Sequence, residues 1–174
     1  MIHTNGGDQP DYDSFNRQIF FSQSFASPPK LCVWIQEFEW HSTDFLSIKC
    51  SAADITSHSF NLKIESWANR RFKNARVQYL AYPAEEDGKR VKTGRYTIAR
   101  PHKEVNNQYE FYGQPFKNTP KTFIAIAYMN FNGNRNLRFR CSANAPNKME
   151  LACSYGTWWD SDMYQAEVQW IAME

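Results

Sequence analysis

Glycine and proline are sparse, seven and eight of 174 residues, and no stretch keeps a continuous 3.6-residue apolar period. Helices are therefore disfavoured. No apolar run reaches the roughly eighteen residues of a membrane-spanning helix, so membrane insertion is not expected. The opening residues MIHTNGGDQPDYDSFN lack the basic segment and apolar core of a signal peptide. That leaves three expectations for location: cytoplasmic, released by a non-classical route, or a domain excised from a larger protein.

Neither sign of charge is in large excess. Twenty Lys and Arg against 18 Asp and Glu give a net +2, too little to imply a polyanionic partner, although NRRFKNAR and GNRNLRFR are locally basic. The cysteines Cys32, Cys50, Cys141 and Cys153 follow no zinc spacing, so neither a metal nor another cofactor is expected. In LSIKC and LRFRC the cysteine continues the apolar alternation, which makes Cys50 and Cys141 small core hydrophobes. Free thiols are expected, with a Cys141 to Cys153 disulfide as the main alternative.

What is abundant is aromatic. Aromatic residues make up 16% of the chain, within 42% hydrophobic and 22% charged, a composition that folds and that favours strands. The length suits one ordinary domain or two small ones.

A shift of 91 residues aligns 19–83 with 110–174 without a gap, and fifteen of 65 positions are identical. Phe20 falls on Phe111, Phe25 on Phe116, Pro29 on Pro120, Ile35 on Ile126, Leu46 on Leu137, Trp67 on Trp158, and VQYLA on VQWIA. A tandem repeat explains this register far better than chance. Each copy reads as short strands separated by turn residues, the pattern of an antiparallel sandwich. The expected organisation is an N-terminal segment 1–18, a repeat at 19–83, a polar linker 84–109 with an edge strand at RYTIA, and a second repeat at 110–174. Copies this small bury little core alone, so they are expected to pack on one another or on other chains.

The order of features, fully present in the second copy, resembles the H-type lectin domain, whose length both copies fit. An aromatic strand, a Pro turn and an apolar strand lead to N-L-R, then a Trp, a Tyr six residues later and a closing V-x-W-I-A. The resemblance implies an all-β fold of two tandem six-stranded antiparallel β-sandwiches, homo-oligomers with trimers favoured, and binding of N-acetylgalactosamine or galactose-terminated glycans at subunit interfaces. Carried over by position, it places the carbohydrate-binding residues at Arg138, Trp158, Trp159 and Tyr164. The same columns of the first repeat hold Ser47, Trp67, Ala68 and Lys73, so that copy keeps the scaffold and loses the site. The family also takes a Gly-x-Asp loop from a neighbouring domain. Gly6 and Asp8 in GGD supply one ahead of the first repeat, and none precedes the second. Either Asp8 reaches a second-repeat site from another domain, or that site differs in specificity.

The residue types suit a sugar. A galactose-type ring has an apolar C–H face and directional hydroxyls, matched by flat aromatics and fixed donors. Arg138 offers a rigid fork of donors, turned outward by its alternation with Leu137 and Phe139. Adjacent residues on a strand face opposite ways, so Trp158 and Trp159 cannot share one core. Trp158 has a structural counterpart in Trp67, whereas Trp159 has none and is the better ligand contact. Asp160 and Asp162 read as turn residues.

Other functions compete. A glycosidase needs two carboxylates placed across a cleft; Asp160 and Asp162 lie on one short turn and the four histidines do not cluster, so no enzyme activity is expected. Basic residues alternate with aromatics in NRRFKNARVQY, as in single-strand nucleic-acid binders, but the balanced charge and missing RNA-binding signatures leave nucleic acid as an unexpected partner. A structural or adhesion domain that binds no sugar is the remaining alternative. A glycan array and a salt-dependent RNA titration separate the three.

Overall fold

The computed structural model describes residues 2–4, 14–40, 46–67, 72–100, 105–145 and 147–174. Strands follow in the order β1 (Ile2–Thr4), β2 (Ser14–Phe20), β3 (Lys30–Trp40), β4 (Leu46–Ala53), β5 (Ser59–Glu65) and β6 (Phe72–Tyr82). After a 3-10 turn at Ala84–Glu86 come β7 (Val91–Ala99), β8 (Val105–Glu110), β9 (Lys121–Phe131), β10 (Phe139–Asn144), β11 (Glu150–Thr157) and β12 (Met163–Met173). No α-helix occurs among the described residues.

Every strand pairing is antiparallel. The first repeat stacks β2-β5-β4 against β1-β6-β3, and the second stacks β8-β11-β10 against β7-β12-β9. Each copy is thus a three-on-three sandwich, the all-β tandem architecture expected. Residues 84–109 hold β7, which pairs with β12 from Val91 to Ala99. That strand occupies the place in the second copy that β1 occupies in the first.

The two sandwiches share a sheet. β4 pairs with β9 through Leu46↔Phe131, Ser47↔Asn130, Ile48↔Met129 and Lys49↔Tyr128, giving one sheet of order β2-β5-β4-β9-β12-β7. Alternation along β4 sends Leu46, Ile48 and Cys50 inward and Ser47, Lys49 and Ser51 to the other face. The inward set joins Phe60, Leu62, Ile64 and Phe72 of the first repeat to Met129, Phe131 and Met163 of the second in a single core. At about 1.5–3 kcal/mol for each large apolar side chain buried, this shared core binds the two copies together.

Further contacts close the joint. Cys32 and Tyr82 pack on Ile171, Trp34 meets Phe123 at 5.0 Å between ring centroids, and the buried Val33 amide donates to Gln169 Oε1 at 3.3 Å. The second sandwich has its own cluster around Phe111, Phe116, Leu151 and Trp170. There Trp170 lies across from Gly94, and a methyl at Gly94 would stand 2.5 Å from the indole nitrogen. All four cysteines are free thiols; Cys32, Cys50 and Cys153 are buried and Cys141 is half-buried. The alternative Cys141 to Cys153 disulfide is not formed.

Candidate functional site

The candidate residues Arg138 and Trp159 of the second repeat lie where the β9–β10 connection meets the turn between β11 and β12. Three consecutive residues of that turn lace the two together. Asn132 donates to Asp162 twice, from its amide to the carbonyl at 2.8 Å and from Nδ2 to the carboxylate at 3.0 Å. Ser161 Oγ donates to the Asn136 carbonyl at 2.7 Å and accepts the Arg138 amide at 2.9 Å. Asp160 accepts from Asn136 Nδ2 at 3.0 Å and from the Arg138 guanidinium.

Arg138 is held on both sides. Its guanidinium donates to Asp160 and lies 5.0 Å from the centroid of the Trp159 ring, within the range of a cation–π contact. The hydrogen bond from Arg138, aided by that from Asn136, holds the Asp160 carboxyl below its ordinary value. Trp159 is 86% exposed and takes φ of +58°, a left-handed conformation that costs a bulky residue energy. Its neighbour Trp158 is 40% exposed, matching the 39% of Trp67 in the first repeat. Arg140 lies 5.9 Å from the Trp158 ring.

Arg138 departs from the expected strand position. It precedes β10, which begins at Phe139, whereas its counterpart Ser47 lies inside β4. The cause is the neighbour: Ser47 pairs with Asn130 of β9, while the Arg138 amide goes to a side chain, Ser161. Tyr164 stands at the start of β12, where the pairing with β9 shifts register between Met163 and Gln165. It is half-buried, and its carbonyl accepts the Arg100 amide at 2.9 Å.

In the first repeat Ser47 is fully buried, and its hydroxyl both donates to the Trp67 carbonyl at 3.0 Å and accepts the Trp67 amide at 3.1 Å. Gly6, Asp8 and Ala68 lie outside the described residues, as does the side chain of Lys73.

Sequence reading missed the part played by Asp160, which is a turn residue and also the partner of Arg138. A signal existed in the repeat itself. Where the second copy has Arg138 and Asp160, the first has Ser47 and Asn69, so both charges are present together or absent together.

Two antiparallel β-sandwiches in tandem, the second carrying an exposed tryptophan against a fixed arginine, define the class as a tandem β-sandwich protein. The family described as the H-type lectin domain matches residues 16–82 and again 107–173. The chain belongs to that family, with two copies of its domain, and lectin domains bind carbohydrate. No curated protein matches the chain significantly.

Proposed function

We infer that the chain is a lectin for terminal N-acetylgalactosamine or galactose, and that its second repeat carries the site. The observation that supports this most is the fixing of Arg138 by Asp160 beneath the exposed Trp159 ring. A guanidinium already oriented loses little freedom when a sugar hydroxyl arrives, and the ring beside it offers a stacking face. Trp158 supports the turn, and Tyr164 adds a ring and a hydroxyl at the start of β12. Gly6 and Asp8 complete the site from a neighbouring domain, and assembly into trimers multiplies weak single-site affinity.

Isothermal titration with N-acetylgalactosamine tests the assignment. Arg138→Ala is expected to weaken binding by about 1.5–3 kcal/mol, the worth of hydrogen bonds to a charged group. Lys73→Ala, in the first-repeat column of Tyr164, is expected to leave affinity unchanged. Unaltered binding by Arg138→Ala places the site elsewhere. Light scattering that finds only monomer across a wide concentration range removes the trimer.

A further inference from the structure

The geometry points to a second carbohydrate site, for a neutral saccharide, in the groove over the β4–β9 joint. This rests on the lectin reading above and assigns a function to the repeat whose motif residues are lost. The groove encloses about 450 Å³ and draws Lys49, Glu65 and Trp67 from the first repeat and Tyr128, Gln165 and Glu167 from the second. That volume falls within the range of about 300–1,000 Å³ that small-molecule pockets occupy.

Strand register builds its floor. Glu65 lies opposite Lys49, Lys49 opposite Tyr128, and Tyr128 opposite Glu167, so four side chains cross the joint in one row on the same sheet face. Above them Trp67 leans on Tyr128, with ring centroids 5.2 Å apart and planes inclined by 38°. Ser47 fixes that tryptophan through both bonds to its backbone. The serine in the arginine column therefore has a use: it anchors an aromatic wall.

Charge selects the ligand class. Glu167 is paired with Arg95 at 2.9 Å, and Lys49 faces Glu65, so no net charge remains to favour an anion or a cation. Neither the Lys49 nor the Glu65 side chain closes a hydrogen bond or ion pair among the described residues. The groove thus presents the Lys49 ammonium as a donor and the Glu65 carboxylate as an acceptor beside two aromatic rings, with the Gln165 amide, whose oxygen accepts the Tyr128 hydroxyl at 3.4 Å, at its far side. Hydroxyl groups around an apolar ring face need that combination. None of Arg138, Trp158, Trp159 or Tyr164 lines the groove, so the two sites are separable by mutation.

Saturation-transfer NMR on the full chain, with the methyl α-glycosides of galactose, N-acetylgalactosamine, glucose and mannose as probes, tests the inference. The proteins compared are the unmodified chain, Arg138→Ala, and the groove variants Lys49→Ala and Glu65→Gln. At least one glycoside is expected to bind Arg138→Ala as it binds the unmodified chain. Each groove variant is expected to weaken that glycoside about fivefold or more, the worth of one net hydrogen bond. Should Arg138→Ala abolish all binding while the groove variants change nothing, the groove site is overturned and the lectin reading stands. Loss confined to the groove variants sustains the groove and removes the Arg138 site. If no glycoside binds the unmodified chain, both fall together.

Discussion

Gln169 Oε1 accepts the buried amide of Val33 at 3.3 Å, joining residues 136 positions apart across the boundary between the two repeats. The side chain is itself 4% exposed, so water cannot replace it. Gln169→Leu keeps the volume and orphans the amide. It is expected to lower unfolding free energy by about 1–3 kcal/mol, the cost of a buried unsatisfied donor, measured as a lower urea midpoint. An unchanged midpoint shows that the amide finds another partner.

Gly94 holds its place because Trp170 covers it. Any side chain there meets the indole, with three ring atoms within 2.6 Å of an added Cβ, and the ring is packed in the second core. Gly94→Ala is expected to cost about 1–3 kcal/mol through overpacking. A double variant, Gly94→Ala with Trp170→Leu, is expected to show less than the sum of the two single losses. Strict additivity excludes the steric explanation.

Asp160 reports on the Arg138 pair through its own titration. Its carboxyl is held low chiefly by the Arg138 hydrogen bond, so its folded value lies below the ordinary aspartate value of about 3.9. The sign follows: the pair's stabilisation is fully present above the unfolded value and is lost as pH falls through the lower folded one. Carbon-detected NMR is expected to find the Asp160 midpoint below the ordinary range, and Arg138→Ala to move it up. A midpoint indifferent to that substitution means the pair does not persist in solution.

Burial pushes the Cys50 thiol up to about 12 and the Cys141 thiol up to about 11. At neutral pH both are protonated and poor nucleophiles. Native protein is expected to react with an aromatic disulfide reagent at a small fraction of the rate seen in denaturant. Cys141, half-buried where Cys50 is fully buried, reacts first. Rapid modification of Cys50 contradicts the packing.

The fold was legible where the sequence repeats. Phe25 over Phe116 and Trp67 over Trp158 mark equivalent places in two sandwiches, and alternation in LSIKC and LRFRC places Cys50 and Cys141 on their strands. The sheet across the boundary was not legible, because edge pairing uses backbone groups that every residue carries. Leu46 and Leu137 look alike in sequence, yet Leu46 pairs with Phe131 of β9 and Leu137 lies ahead of its strand. Lys92 was equally hidden. Its ammonium lies 4.5 Å from the Phe116 ring centroid and 5.5 Å from that of Phe111, contacts made by residues some twenty positions away. Arg138 and Trp159 were legible as site candidates from the unequal copies, whereas their clamp by Asp160 required comparing both charged columns at once.

The β4–β9 pairing has a direction. One copy offers the strand that closes its β2-β5-β4 sheet, and the other accepts it on a strand of the opposite layer. The counterpart of β4 is β10, and the counterpart of β9 is β3, so a chain of two copies ends with an unlike pair of strand edges. Such a head-to-tail joint differs from a twofold one, in which the same patch meets itself. If chains add through the same joint, β10 of one chain pairs with β3 of the next, and the contact either closes a ring or grows into a filament. A ring closed in this way repeats one contact between every neighbouring pair of sandwiches, whether or not they share a chain.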